Sequence, residues 1–462
     1  MKLILTLAIG LFSSAAGQAQ PLTLAQVLRS SAQRAPQIVE AMANEKQAEG
    51  RALSAEGAFD TVFNVDTRSR VGGYYDGTTV ETTVKRPFRN NGGGLYGGYR
   101  VSRGTFPIYE DRSYTNRLGE LKFGAIFSLL RDRLTDTRRT KVALADYDLQ
   151  IAALEQEMVA IGVQAQAIAA YQAWVAAGFK LRAYRELLDL STRRRSILSR
   201  QAQLGARAAI TVVENDQNLV RRRGLVVRSE QEFAEAANAL SFYYRDGDGR
   251  MVEPTEDQLP DALPPINPLS PIGPIDRPDT IAVLVKLDRS LAELALAEND
   301  LRPQLDLLGE VSKDIGPQGL GGASRTPAEA IAGVRLSVPL QRRAAKGRVV
   351  EARAKAEALL ARQQVIRDQI TTKVDAILIA VRSSGSLVEL AAQEEALARR
   401  MAGAERRRFE MGVSDFFLIN QREEAATDAR IRLLEARYRA AVASADLAAT
   451  TADRSVLGLN NR

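Results

Sequence analysis

The sequence of 462 residues contains neither cysteine nor histidine. Their absence excludes thiol nucleophiles, thiolate metal sites, disulfides and histidine general bases, and with them most hydrolase and redox mechanisms. It also excludes a lipid anchor on an N-terminal cysteine. We therefore expect a protein that is not an enzyme and that has no cofactor, no catalytic residues and no metal site.

Long apolar runs are also scarce. Residues 1–19 combine a cationic start at Lys2 with a short apolar stretch and a small-residue exit, which is the pattern of a secretory signal peptide. No later segment has about 18 consecutive apolar residues, so only β-strands could place the mature chain in a membrane. The 63 basic and 56 acidic residues alternate without interleaved aromatics, which indicates solvated helix faces rather than a nucleic-acid site.

Proline is unevenly distributed. Eight of the 16 prolines fall in residues 254–278, and none occurs in residues 108–253 or 340–462. Because proline breaks helix interiors, these gaps permit very long helices. In both gaps apolar residues recur alternately every three and four positions, over residues 144–168 and again over residues 370–391. This period predicts helices that pack as in a coiled coil.

The chain also divides into two related halves. Pro36 falls on Pro278 at an offset of 242 residues and Gly205 falls on Gly412 at an offset of 207, and similar strand patterns recur between these landmarks in the same order. Each half therefore predicts a helix, a strand, a loop, a strand, a very long helix, a glycine turn and a returning helix. A helix over residues 136–204 would be about 100 Å long, at roughly 1.5 Å per residue.

Four segments follow from this pattern. The sequence predicts a signal peptide (1–19), a first repeat (20–243) with its hairpin tip near residue 205, a proline-rich linker (244–276) and a second repeat (277–462) with its tip near residue 412. The first repeat is longer between its strands, and the surplus, residues 86–118, is rich in glycine and tyrosine. This insertion could be either an exterior loop or an additional hairpin.

The predicted strands alternate apolar and polar residues, so one face favours an apolar environment and the other tolerates water. No neighbouring segment supplies a covering layer, and a lipid-facing barrel wall fits better than a soluble sheet at the end of a helical rod. Four strands per chain cannot close a barrel, because the smallest bacterial examples have about eight, so several chains must contribute. The candidate lipid-facing residues are Phe59, Phe63, Val65, Phe127, Leu129, Leu305, Leu307, Leu336 and Val338.

Three segments carry a resemblance to a known family. The RPDT motif at Arg277–Thr280 precedes an alanine-rich helix and the strand LRPQLDLLG, the strand AGVRLSVPL ends at Leu340, and RRFEMGVSDFFLINQREEAATDARIRLLEARY contains Gly412. Their order and duplication resemble the TolC-like outer-membrane efflux protein family, the outer membrane factors. The resemblance spans nearly the whole mature chain.

The resemblance implies a mainly α fold of very long coiled-coil helices in two tandem structural repeats, with four strands per chain in a trimeric twelve-stranded membrane β-barrel. It implies the exit channel of a tripartite efflux or type I secretion system, in the outer membrane of a Gram-negative bacterium and extending into the periplasm. The implied partners are two further copies in a homotrimer, outer-membrane lipid, a periplasmic adaptor (membrane fusion) protein and an inner-membrane RND or ABC pump.

The two helical tips are the expected docking sites for the adaptor. Glycine permits the left-handed turn that ends a helix, so the sequence does not separate a purely structural turn from adaptor docking, and both can hold at once. A soluble periplasmic coiled-coil scaffold or an adaptor protein is the alternative function, although an adaptor would carry a single helical hairpin. The tip candidates are Leu204, Gly205, Met411, Gly412 and Val413.

Arginine runs at residues 193–195, 221–223 and 406–408 allow two interpretations. They could line the tunnel and repel cations, or they could lie on outward helix faces with acidic partners. The second is favoured because acidic residues lie nearby in the sequence. Glu423 and Glu424 are accordingly expected to be salt-bridge partners rather than paired catalytic carboxylates.

Overall fold

The computed structural model describes residues 20–107, 113–265, 277–320 and 325–459. No helix in these ranges is long and apolar enough to cross a membrane. The helices are α1 (Leu24–Arg34), α2 (Pro36–Glu56), α3 (Thr137–Gln203), α4 (Ile210–Ser241), α5 (Pro278–Asn299), α6 (Arg343–Glu410) and α7 (Phe416–Thr451). The strands are β1 (Val62–Arg70), β2 (Gly77–Pro87), β3 (Gly93–Gly104), β4 (Glu120–Ser128), β5 (Gln304–Asp314) and β6 (Glu329–Ser337).

The chain forms two compact units, and each unit draws on both halves of the sequence. The first contains the described parts of residues 1–39, 158–277 and 370–462, and the second contains those of residues 40–157 and 278–369. The units therefore differ from the predicted repeats, whose boundaries remain a prediction. The element order itself recurs, because a helix, antiparallel strands, a very long helix and a shorter helix follow one another twice.

The two very long helices, α3 and α6, have 67 and 68 residues. The predicted helix over residues 136–204 is thus confirmed to within a residue at each end. Its start is fixed by Asp136, whose carboxylate accepts hydrogen bonds from the backbone N–H groups of Arg138 and Arg139 at 2.8 and 2.9 Å. Such a cap satisfies donors that have no partner within the first turn of a helix.

The predicted seam of α6 is visible in its burial pattern. Along residues 370–391 the side chains at the seven predicted positions are buried or half-buried, with Val374 and Ser384 at 7% and 8% exposure. The opposite side of the helix is open, as Ile379 (69%) and Leu390 (61%) show. A period of three and four residues therefore marks the face that packs within the chain.

The core of the first unit surrounds Trp174 on α3, which is fully buried. Tyr171 and Phe233 lie 5.9 and 6.3 Å from it between ring centroids. The Tyr171 hydroxyl donates to the carbonyl oxygen of Leu22 at 2.9 Å, and the buried amide of Gln164 donates to that of Leu28 at the same distance. These bonds satisfy polar groups that would otherwise be costly in an apolar interior, and they attach the N-terminal segment to α3.

The second unit contains one antiparallel sheet in the order β1-β2-β3-β4-β5-β6. The prediction of four strands per chain is therefore wrong, because the sheet has six. Of the two alternatives for residues 86–118, the structure has the additional hairpin, formed by β2 and β3 and spanning 77–104. Its glycines make this pairing possible, since a Cβ on Gly94 or Gly98 would lie 2.6 or 2.7 Å from a carbonyl oxygen of β2.

One end of the sheet carries all its connections to helices. There β1 follows α2, β4 leads to α3, β5 follows α5 and β6 leads to α6. The turn between β2 and β3 lies at the same end, where the Gly92 carbonyl accepts from the Ser128 N–H at 3.2 Å. Phe59 belongs to the short 3₁₀ turn Gly57–Phe59 between α2 and β1, so its predicted place on a strand is wrong.

Candidate functional site: an amphipathic sheet and two helical tips

One face of the sheet is apolar across its full width. Residues paired in register share a face, and one such row contains only apolar side chains and glycine. Exposure is similar at the edge and at the centre of this row, since Phe63 on β1 is 64% exposed and Phe123 on β4 is 60% exposed. The row runs from β1 to β6 through Phe63, Val84, Gly97, Phe123, Val311 and Ala330.

Most of the predicted lipid-facing residues lie on this apolar face. Leu129 and Val338 come directly after the ends of β4 and β6, and each is 40% exposed. Contact of these side chains with lipid remains a prediction. The residues that the pairing places on the apolar face are Phe63, Val65, Phe127, Leu305, Leu307 and Leu336.

The opposite face is polar and its charges are paired between strands. The Arg100 guanidinium donates to the Glu120 carboxylate at 2.5 Å, and Lys122 forms an ion pair with Glu81. The Tyr96 hydroxyl donates to the Glu310 carboxylate at 2.6 Å. Acidic and basic side chains alternate across this face and form ion pairs. The electrostatic potential of the face is therefore not dominated by one sign of charge.

The added hairpin continues both faces without interruption. Val84 on β2 and Tyr99 on β3 belong to the apolar face, while Glu81 and Arg100 belong to the polar face. A surface loop would not show apolar and polar residues that alternate in register with those of the neighbouring strands. The alternation of threonine and valine in β2 was the sequence signal that could have revealed this strand.

The connection from β3 to β4 is tied to the end of the sheet remote from the helices. Within its described part, the Asn116 N–H donates to the Asp314 carboxylate at 2.7 Å. The Thr115 N–H donates to the Ser102 hydroxyl, also at 2.7 Å, and the Gly319 N–H donates to the Tyr114 hydroxyl at 2.8 Å. These contacts join the turns of neighbouring hairpins at that end.

The two helical tips have similar backbone geometry. Gly205 and Gly412 have φ values of +71° and +78°, the left-handed conformation that favours glycine. The N–H groups that follow them bond back five residues, Ala206 to Gln201 and Val413 to Arg408, and so satisfy carbonyl groups at the ends of α3 and α6. The exposed apolar tip side chains are Leu204 (76%), Met411 (69%) and Val413 (61%).

The tips are also joined to each other. The Phe409 ring near the end of α6 lies 4.5 Å from the guanidinium carbon of Arg207, in the first tip. The guanidinium of Arg194 on α3 lies 5.7 Å from the same ring. Contacts of this kind attract a cation to an aromatic face, so one aromatic side chain connects both hairpins near their ends.

A buried ionic cluster lies a few turns from these tips. Glu423 on α7 is 2% exposed, and its carboxylate accepts from Arg194 at 2.5 Å and from Arg406 at 3.4 Å. Arg222 on α4 is 1% exposed and lies 3.7 Å from the same carboxylate. Burial lowers the pKa of Arg222, and Glu423 opposes that shift.

The favoured interpretation predicted that the arginine runs lie on outward helix faces with acidic partners. The acidic partners are confirmed, but the outward position is wrong for some of these arginines. Arg193 and Arg195 do form exposed pairs, with Asp189 and Asp216 at 2.5 Å each. Arg194, between them, is buried, as is Arg222 in the second run. A charge run in a sequence indicates a solvated face, and only the convergence of four helices reveals which arginine points inward.

Known proteins resemble this chain in sequence over one region and in fold over nearly all of it. Residues 275–452 match the family model described as outer membrane efflux protein. No curated protein is significantly similar. The outer-membrane channel OprN has 17% sequence identity and a TM-score of 0.66, with 93% of this chain and 89% of that chain covered. The predicted resemblance to the TolC-like outer-membrane efflux protein family is confirmed over residues 275–452.

Two further channels share the TolC-like fold. The *Neisseria gonorrhoeae* MtrE outer membrane channel in its open state has 15% identity and a TM-score of 0.65, covering 93% of this chain and 88% of that chain. The *Campylobacter jejuni* CmeC outer membrane channel has 13% identity and a TM-score of 0.63, covering 93% and 85%. The predicted mainly helical fold with very long helices and a sheet is confirmed. The matched family is described as outer membrane efflux protein, and these three structures are outer-membrane channels.

Proposed function

We propose that three copies of this chain form an outer-membrane exit channel for a tripartite efflux or type I secretion system. The observation that carries the proposal is the sheet with one apolar and one polar face. Large apolar side chains at 60% exposure or more, such as Phe63, Phe123 and Val334, are stabilised if that face meets lipid. The polar face with its ion pairs then lines a water-filled passage.

The oligomer follows from the two edges of the sheet. Among the described strands, β1 and β6 each have a neighbour on one side only, so each leaves a row of backbone N–H and C=O groups without a strand partner. Such groups are costly in lipid, where no water can bond to them. Pairing between copies removes both edges, and a homotrimer in the outer membrane of a Gram-negative bacterium provides it.

The helical tips are proposed as the docking surface for a periplasmic adaptor that links the channel to an inner-membrane RND or ABC pump. Leu204, Met411 and Val413 present exposed apolar contacts there. Arg207 adds a positive charge beside them, held at the Phe409 ring. An apolar centre flanked by charge is the usual composition of a protein interface.

The first experiment locates the protein and counts its copies. We expect the mature chain in the outer-membrane fraction, extracted by detergent as a trimer with a mass measured by light scattering. Deletion of its gene should abolish export of the system's cargo, and expression from a plasmid should restore it. A monodisperse soluble monomer in the periplasmic extract would instead support a coiled-coil scaffold.

The second experiment tests the tips alone. Gly412→Val places a β-branched residue at φ +78° and should distort the tip, so we expect normal trimer abundance with lost export. Gly385→Val is the matched control, because Gly385 lies inside α6 with no atom within 4 Å of an added Cβ. If Gly412→Val exports as well as Gly385→Val, the adaptor docks elsewhere.

A further inference from the structure

The sheet of this chain has more strands than a twelve-stranded trimeric channel can use. Three chains would supply twelve strands only if each gave four, whereas the described part of this chain has six in one continuous sheet. We infer that the channel wall has eighteen strands, with β1 of each copy paired to β6 of the next. The inference rests on the proposed trimeric channel and adds the size of its outlet.

The hairpin of β2 and β3 is part of the wall because it is paired on both sides. β2 pairs with β1 over nine residues and with β3 over eleven, and β3 pairs with β4 over eight. If this hairpin left the sheet, β1 and β4 would lose these hydrogen bonds unless they paired with each other. It also carries the ion pairs of Glu81 with Lys122 and of Arg100 with Glu120, which join it to β4.

The two edge strands, β1 and β6, match in length and run in opposite directions, as pairing between copies requires. β1 and β6 both have nine residues, and both continue the apolar face out to the edge through Phe63 and Val334. Since consecutive strands are antiparallel and their number is even, β1 and β6 run in opposite directions. Copies related by rotation about a common axis therefore meet in an antiparallel pair, and the apolar face stays on one side throughout.

The occupant of each edge is accordingly a second copy of this chain, and the strand number sets the bore. Barrel diameter grows roughly linearly with strand number, so eighteen strands give about 1.5 times the diameter of twelve. The wall would admit larger solutes than a twelve-stranded wall of similar tilt. The paired charges on the polar face leave that wider passage without a strong preference for one sign of charge.

A cysteine experiment tests the edge pairing. The chain has no natural cysteine, so Thr67→Cys on β1 can be combined with Ala330→Cys, Ala332→Cys or Val334→Cys on the same face of β6. Within one chain these strands are separated by about 24 Å, at roughly 4.8 Å per strand, so any disulfide must join two copies. We expect at least one pair to give a trimer that survives denaturing electrophoresis without reductant.

Thr67→Cys with Val80→Cys is the matched control, because these residues are paired between β1 and β2 of one chain. It should form a disulfide that leaves the chain a monomer on the same gel. If the control forms its disulfide and none of the three edge pairs links the copies, the proposed pairing is overturned.

A strand count distinguishes this inference from the proposed function. Electron cryomicroscopy of the trimer in nanodiscs should show eighteen strands. Deletion of residues 73–118, which joins the turn ends of β1 and β4 directly, should give twelve strands and about two thirds of the diameter. A membrane trimer whose wall has twelve strands in the wild type would overturn the inference and leave the proposed function standing. Absence of the protein from the membrane would overturn the proposed function itself.

Discussion

The two units of this chain place the same kinds of side chain in opposite positions. In the first unit Trp174 and Tyr171 are 0% and 2% exposed, at the centre of packed helices. In the second unit Phe63 and Phe123 are 64% and 60% exposed on the apolar sheet face. The first arrangement is complete within one chain. In the proposed channel the second would gain its stabilisation from the lipid around the chain, so large apolar residues would identify a core in one unit and a contact surface in the other.

Substitution of the central aromatic should have the largest effect on this comparison. Trp174→Ala removes a fully buried side chain, and we expect a loss of about 3–5 kcal/mol in the free energy of unfolding. Thermal unfolding of the detergent-solubilised protein, followed by circular dichroism, measures it. Phe123→Ala, on the open sheet face, should leave the unfolding midpoint close to that of the wild type. Equal destabilisation by both changes would show that the sheet face also packs against protein.

The buried ionic cluster should be nearly as sensitive. Glu423→Ala leaves Arg194 and Arg222 buried without their shared carboxylate, and removing one partner of a buried pair typically costs about 3–5 kcal/mol. The same unfolding measurement checks it. Asp216→Ala is the control, since it removes an exposed partner of Arg195 and should scarcely move the midpoint. A stable Glu423→Ala protein would mean that water reaches the cluster.

A charge on the apolar face should prevent assembly rather than folding of the helices. Phe123→Arg is expected to cost about 2–4 kcal/mol if its site lies near the middle of the membrane. The amount of trimer in outer-membrane fractions measures this loss. Asn64→Arg, on the polar face of β1, should assemble normally. Loss of the trimer with Asn64→Arg and its persistence with Phe123→Arg would reverse the assignment of the two faces.

The smallest effect is expected at a single hydrogen bond in the core. Tyr171→Phe removes the bond to the Leu22 carbonyl and should cost about 0.5–1.5 kcal/mol at neutral pH. Burial raises the pKa of Tyr171 to about 12. Because the folded pKa lies above the unfolded value of about 10, the stability it contributes is complete below pH 10 and is lost as pH rises through 12. The wild type should therefore lose more stability than Tyr171→Phe over this range, as unfolding at several pH values would show.

The sequence predicted best those elements that are specified locally. The limits of α3, the buried seam of α6 and the positions of Gly205 and Gly412 all follow from spacing or from single residues. A helix is closed by hydrogen bonds between near neighbours, so its signal is contained in a short window of sequence. The same apolar spacing and the same glycine turn occur in both halves of the sequence.

Elements specified by distant partners were missed. β3 contains several glycines and resembles a loop until its pairing with β2 and β4 is known. Arg194 and Arg222 resemble solvated charges until Glu423, more than 200 residues away in sequence, is placed between them. In both cases the contact that determines the structure joins residues far apart in the sequence. From residue type alone, β3 would be assigned to a loop and the two arginines to a solvated surface.

The connections at the helix-bearing end of the sheet set how many strands and how many helices would share one circumference in the proposed trimer. The described part of the chain has six strands. At this end of the sheet four of them join helices, and the other two are joined to each other by the β2–β3 turn. A strand tilted by about 40° occupies roughly 6 Å of circumference, and a packed helix occupies about 9 Å. In the proposed trimer, eighteen strands and twelve helix connections would each span about 110 Å, whereas twelve strands would span only about 75 Å. In that trimer the added hairpin would bring the circumference of the wall close to that of the helices that enter it.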